Sequence, residues 1–133
     1  MTVTGQRQTL MLRPEPQAVG VARHLARRTC TDAGLERDVC ETAVLLTSET
    51  VTNAIIHGRS EVRLAITAGP NGVRVEVGDD NSRRPVLQAD DQQALDGRGL
   101  SILASEASSW GVADDRYGKI VWFELHLSAN GHN

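Results

Sequence analysis

The sequence has few of the residues that build covalent or metal-based scaffolds. Cys30 and Cys40 are its only cysteines, they form no CxxC motif, and no two histidines stand at metal-ligand spacing. Neither a disulfide framework nor a zinc site is therefore favoured, and both cysteines are predicted to be small packing residues. Apolar runs stop at four residues, as in 43–46, whereas a membrane-spanning helix needs about 18.

Signals for export and for nucleic-acid binding are also lacking. The first residues contain no apolar core for a signal peptide, so we expect a cytoplasmic protein with no membrane partner. The net charge of -3 argues against direct nucleic-acid binding, which usually needs a large basic face. No GxSxG elbow occurs, which disfavours a hydrolase. What is present is one globular domain of 133 residues, 40% of them hydrophobic.

The first half of the chain has helical periodicity. A short strand is predicted over residues 9–12, ended by the prolines that follow it. A helix begins at Gln17 and carries apolar residues at spacings of three and four, with Gly34 in the position of a left-handed C-cap. A longer helix over residues 37–57 is apolar nearly all round, so we expect it to be the central buried helix, ended by Gly58.

The second half changes to a period of two. Residues 62–66 and 73–77 alternate between apolar and polar, and the turn residues 69–72 join them into a predicted antiparallel hairpin. A long loop over 80–97, a short helix from Leu100 to about Ser105, and a closing hairpin of strands 110–113 and 120–127 follow. We predict an α+β fold, a two-layer sandwich with a mixed, mostly antiparallel sheet covered on one face by helices. The domain spans 9–127, between tails 1–8 and 128–133.

Three local features could carry chemistry, and the first is a polar stripe on the central helix. Glu49, Asn53 and His57 are four residues apart, so they drift only slowly around the helix. Polar groups on an otherwise apolar helix cost free energy unless they bind something, which indicates a site. The alternative is that Glu49 faces solvent and Asn53 bonds backbone.

The other two features flank the long loop. Asp79 ends a hydrophobic strand, where an aspartate can serve a site or simply form a turn. Gly97, Arg98 and Gly99 precede Leu100 at the start of the short helix. Glycines there allow close backbone approach, and the free N–H groups of a helix start favour an anion such as phosphate, although a plain turn fits the same residues.

In this order the features resemble the GHKL superfamily of ATP-binding domains, and most closely its anti-sigma-factor branch of serine/threonine protein kinases, common as single-domain proteins in actinobacteria. The resemblance rests on residues 45–58, on Gly97 to Leu100, and on 110–111 with 118–124, and it extends from about residue 9 to 127. It implies the Bergerat-type ATP-binding fold with ATP and Mg²⁺ as cofactors. It also implies transfer of the γ-phosphate to a Ser or Thr of a small antagonist protein, and sequestration of a sigma factor.

The resemblance also implies roles for individual residues. Asn53 would ligate Mg²⁺ through its amide oxygen, Asp79 would accept a hydrogen bond from the adenine amino group, and Glu49 would be the general base. His57 would support the phosphate end or cap the helix C-terminus. Residues 82–96 would form a lid, and the remaining nucleotide contacts would come from Asn81, Gly97, Arg98, Gly99 and Leu100.

The chain departs from the family pattern at the nucleotide site. Both glycines of the usual DxGxG are missing, with Asn81 and Arg83 in their places, and Ile120 replaces the threonine that often follows the late glycine. We therefore expect a reduced affinity for adenine. The altered loop favours a second hypothesis, a non-catalytic ATP-binding partner-interaction module, whereas the intact Glu49 favours the enzyme.

Partners are implied less directly. The resemblance implies a homodimer, although a monomer fits the sequence equally well. A detached catalytic half of a histidine kinase is disfavoured, because the sequence shows no dimerisation helix with a phosphoacceptor histidine. Arg23, Arg27 and Arg28 on the first helix could dock an acidic partner or form a solvated helix face.

Overall fold

The computed structural model describes residues 3–57, 60–79, 103, 105–115 and 118–127. Its longer elements are two helices and five strands, and Leu103, Ser105 and Glu106 are also helical. The bounds of the longer elements in chain order are β1 Gln6–Leu12, α1 Gln17–Asp32, α2 Arg37–His57, β2 Val62–Gly69, β3 Gly72–Asp79, β4 Ser109–Asp115 and β5 Gly118–His126.

The strands form one sheet in the order β1-β2-β3-β5-β4, and each neighbouring pair is antiparallel. Both predicted hairpins are confirmed, since β2 pairs with β3 through the turn closed by Gly69 and Gly72, and β4 pairs with β5. The sheet was expected to be mixed, but all of its described pairs are antiparallel. The α+β class is confirmed, with α1 and α2 packed on the sheet.

β1 begins at Gln6, three residues before the predicted start at Thr9. The extra residues are exposed and polar, so they give no periodic signal, and the strand forms because β2 is long enough to pair with it from Gln6 to Leu12. The chain entering β1 also crosses β2 closely. A Cβ on Gly5 would lie 2.1 Å from the Ala68 carbonyl oxygen, so only glycine allows this crossing.

The two helices match their predicted limits. α1 ends at Asp32, and Gly34 takes a φ of +80° just beyond it, as expected of a C-terminal glycine. α2 is the central helix, with residues such as Leu46 and Val51 fully buried, although Leu45 and Ile56 on its outer side are 45% and 63% exposed.

The core lies between the helices and one face of the sheet. It is almost entirely aliphatic, with Phe123 of β5 as its one fully buried aromatic side chain in the described part of the chain. The inward strand residues are Val62, Leu64, Ile66 and Ala68 on β2, Val73, Val75 and Val77 on β3, and Phe123 and Leu125 on β5.

Cys30 of α1 and Cys40 of α2 are both free and buried where the two helices pack. Burial raises the pKa of Cys30 to about 12, and proximity to Cys40 adds to this rise. A thiol with such a pKa stays protonated and behaves as a small apolar side chain. The prediction that both cysteines are packing residues is confirmed.

The opposite face of the sheet is covered by long polar side chains. Arg74 donates hydrogen bonds to Glu76 and Glu124 at 2.8 and 2.7 Å and lies 4.5 Å from the centre of the Trp122 ring. His126 contacts the other carboxylate oxygen of Glu124. Glu124 as a whole is only 4% exposed. Burial acts to raise the pKa of Glu124, but its bonds to His126 and Arg74 outweigh that effect and lower the pKa below 4.5.

The lowered pKa predicts a specific loss of stability in acid. A carboxylate with a lower pKa in the folded state stabilises the protein above pH 4.5, and this contribution is lost as the pH falls through the folded-state pKa. We expect the Tm to fall more steeply between about pH 5 and pH 3 in the wild type than in Glu124→Gln. Glu61→Gln, which removes an exposed carboxylate, should retain the wild-type slope. Equal slopes in Glu124→Gln and the wild type would contradict this account.

Two threonines on α2 provide a matched test of the core. The Thr47 hydroxyl is buried and forms no hydrogen bond with any described residue, whereas Thr50 Oγ1 donates to the Leu46 carbonyl at 2.6 Å. Thr47→Val should leave the free energy of unfolding unchanged or raise it by about 1 kcal/mol, because an unpaired buried hydroxyl is removed. Thr50→Val should lower it by about 0.5–1.5 kcal/mol. Denaturant unfolding checks both values, and an equal loss of stability in the two variants would refute the assignment.

Candidate functional site

The polar stripe on α2 lies at the border of the core. Glu49 and Asn53 are both partly buried, and each comes three residues after a buried position, Leu46 and Thr50 respectively. Residues three apart share a helix face, so both polar side chains adjoin the buried side of α2 and do not stand out in open solvent. His57 is the last residue of the helix, and its side chain is outside the described part.

Asp79 is the last residue of β3 and is only 1% exposed. Alternation along the strand places it on the face of Val75 and Val77, which is the face that α2 covers. Asp79 therefore lies on the same side of the sheet as Glu49 and Asn53. An aspartate that only forms a surface turn would be accessible to solvent. The burial of Asp79 therefore favours a role in a site over a role in a turn.

The end of β3 is held from the other face by an arginine. Arg63 Nη2 donates to the Asp79 carbonyl oxygen at 3.5 Å, across the pair that Arg63 forms with Gly78. A Cβ on Gly78 would stand 3.0 Å from Arg63 Nη2, so the glycine leaves room for the guanidinium to lie against the backbone. Arg63 thus positions the backbone that carries Asp79.

The residue beside Asp79 in the sheet is Lys119, not Ile120. Asp79 pairs with Lys119 and Gly78 pairs with Ile120, so Ile120 lies on the opposite face of the sheet. There it lines a cavity of about 610 Å³ together with Met11 and Arg63. Because adjacent strand residues point to opposite faces, Ile120 would not contact a base bound beside Asp79.

Lys119 is the functional candidate that the sequence interpretation missed. It is only 8% exposed, is the only lysine in the chain, and directly follows Gly118. The sequence around Asp79 does not reveal Lys119 as its neighbour, because β3 and β5 are far apart in sequence and pair only in the folded sheet. The one available signal was the lone lysine of the sequence, directly before the strand predicted over 120–127.

Several predicted site residues lie outside the described part of the chain. These are Asn81, Gly97, Arg98, Gly99, Leu100 and the lid residues 82–96. Leu103, Ser105 and Glu106 are helical, and Leu103 is 2% exposed and belongs to the core. The short helix predicted after the glycines is thus present at these residues and is anchored by Leu103.

The arginines of α1 are largely matched by acidic neighbours. Arg27 pairs with Glu41 of α2 at 3.4 Å, and Arg28 lies 4.0 Å from Asp32 one turn later. Arg23 is exposed and forms no ion pair within the described residues. The predicted basic face is therefore only weakly basic, which favours its interpretation as a solvated helix face.

Comparison with known proteins identifies the family. The profile of the histidine kinase-like ATPase domain matches residues 12–125. The chain belongs to the histidine kinase-like ATPase family. The resemblance to the GHKL superfamily is thereby confirmed, and family membership implies an ATP-binding domain. The polar stripe of α2 and the buried Asp79 are the described candidates for the ATP site of this histidine kinase-like ATPase.

A solved structure shares the fold of this histidine kinase-like ATPase. The crystal structure of the RsbU and RsbW domains of Rv1364c from Mycobacterium tuberculosis matches 91% of the chain with a TM-score of 0.70 and 20% identity. The chain spans 32% of the length of that protein's chain. No curated protein matches the sequence. Within the described residues, no helix is long and apolar enough to cross a bilayer.

Proposed function

We propose that this chain is a Mg-ATP-dependent serine/threonine protein kinase that phosphorylates a small antagonist protein and sequesters a sigma factor. The observation that carries the proposal is the placement of Glu49 and Asn53 at the core border of α2, on the same side of the sheet as the buried Asp79. The family supplies the ATP-binding function, and this arrangement supplies polar groups where a nucleotide could be bound.

The polar residues on the helix-covered side of the sheet have the chemistry needed to bind Mg-ATP. The amide oxygen of Asn53 is a hard, neutral ligand of the kind that Mg²⁺ accepts alongside waters and phosphate oxygens. A single amide cannot hold the ion alone, so the nucleotide phosphates would complete its coordination. In this proposal Asp79 accepts the hydrogen bond of the adenine amino group, while Gly97, Arg98 and Gly99 contact the phosphates.

In this proposal Glu49 is the general base. It lies one helical turn before Asn53, so the base and the metal ligand face neighbouring parts of one site. In a protein kinase it would orient the acceptor hydroxyl and take its proton; in an ATPase it would do the same for water. Phosphoryl transfer asks mainly for positioning and charge neutralisation, which a carboxylate, Mg²⁺ and backbone amides can provide.

The sequence of the loop after Asp79 favours a second function. With Asn81 and Arg83 in place of the two glycines, the backbone there has less freedom to approach a nucleotide closely. The second candidate is therefore a non-catalytic module that uses ATP to shape a surface for a partner. A homodimer is compatible with either function and is also proposed from the resemblance.

Nucleotide binding is tested by thermal unfolding of the wild type and Asn53→Ala. Mg-ATP at about 100 times its Kd should stabilise the wild type by about 2.7 kcal/mol, a Tm rise of several degrees. Asn53→Ala should lose most of this rise, because the metal loses its protein ligand. Thr52→Ala, on the same helix turn but outside the stripe, should keep it. A rise of equal size in Asn53→Ala, or one that persists with chelator, would contradict the assigned Mg²⁺ ligand.

Catalysis is tested separately with Glu49→Gln. Transfer of labelled γ-phosphate from ATP to a candidate antagonist protein should fall by about 10²–10⁴-fold, because the general base is lost. The Mg-ATP shift in Tm should persist in this variant. Glu41→Gln, which removes an exposed carboxylate of the same helix, should leave transfer unchanged. Equal transfer by Glu49→Gln and the wild type would exclude Glu49 as the base, and nucleotide binding without any transfer would favour the non-catalytic module.

A further inference from the structure

Lys119 is held at the end of β3 by two strand pairings. It is opposite Asp79 of β3 on one side and opposite Asp114 of β4 on the other. Side chains directly opposite in an antiparallel pair have Cβ atoms about 4.5–5.5 Å apart and share one face of the sheet. The lysine stem therefore starts beside the buried carboxylate that the proposed function assigns to the base of the nucleotide.

The burial of Lys119 makes its placement informative. A lysine is rarely buried to 8% exposure, because its ammonium group loses hydration unless charged or polar groups replace the water. The strand register places an aspartate directly opposite Lys119 on each neighbouring strand, which is the kind of residue that can replace this hydration. The end of β3 thus carries an acceptor-only group, Asp79, beside a donor-only group, Lys119.

This donor and acceptor pair matches one edge of adenine. The 6-amino group of adenine donates hydrogen bonds, and the adjacent ring nitrogen N1 accepts one. We propose that Lys119 is a base-reading residue that donates to adenine N1 while Asp79 accepts from the 6-amino group. The proposal rests on the nucleotide site of the proposed function and adds a specificity-determining residue to it.

A contact from Lys119 to adenine N1 would change both the expected affinity for adenine nucleotides and the discrimination against guanine nucleotides. An ammonium donor gives a stronger, charge-assisted bond than the threonine hydroxyl common in the family, so the loss of that threonine does not weaken adenine binding. A 6-oxopurine such as guanine has its carbonyl oxygen where adenine has the amino group, and an N–H where adenine has N1. Asp79 would then face an acceptor and Lys119 a donor, so guanine nucleotides are rejected.

The test compares ADP with 1-deaza-ADP, which has a C–H in place of N1, by calorimetry in the presence of Mg²⁺. The wild type should bind ADP about tenfold to hundredfold more tightly than 1-deaza-ADP, the range expected for a bond to a charged group. In Lys119→Met, which keeps the apolar stem and removes the donors, the ratio of the two Kd values should fall to about one. Because each ratio is measured within one protein, a general loss of stability in the variant cancels.

The outcomes separate this proposal from the proposed function. If the wild type binds ADP and 1-deaza-ADP with equal Kd values, the role of Lys119 is overturned and the ATP site remains. This measurement uses the wild type alone, so it does not depend on whether a variant folds. An unchanged ratio in Lys119→Met would overturn it as well. Failure of the wild type to bind either nucleotide at millimolar concentration would overturn the nucleotide site itself and the Lys119 contact with it.

Discussion

The packing of α2 against β3 is the constraint on which the site depends. The helix can bury only one side, and the valines at 73, 75 and 77 offer an apolar surface that fits it. Once that side is buried, the positions of Glu49 and Asn53 at its border are fixed. The same packing determines which face of β3 is inside, and with it the direction of Asp79. One hydrophobic contact therefore orients both halves of the candidate site.

The two faces of the sheet are buried by different means. α1 and α2 cover one face with aliphatic side chains, while the other face is covered by ion pairs and by the stacking of Arg74 on Trp122. The second face also supports the first, because Arg63 reaches around Gly78 to the backbone of Asp79. A substitution on the polar face can therefore disturb the candidate site without touching a nucleotide.

Local signals in the sequence were sufficient to predict the helices and strands, but they did not predict how the strands pair in the sheet. The limits of α2 and the turn at 69–72 follow from periodicity and turn chemistry, and both agree with the structure. The pairing of β3 with β5 joins strands that are far apart in sequence, and no local pattern encodes it. Without that register, the sequence could not show that Lys119, and not Ile120, lies beside Asp79. The polar stripe could be predicted because helix spacing is local, whereas the neighbour of Asp79 could not.

In the proposed function, a nucleotide binds between the polar stripe of α2 and the end of β3. A crystal structure with Mg²⁺ and a non-hydrolysable ATP analogue tests it most directly. We expect the Asn53 amide oxygen on the metal and the adenine amino group within hydrogen-bond distance of the Asp79 carboxylate. A nucleotide bound on the opposite face of the sheet, in the cavity lined by Arg63 and Ile120, would contradict it.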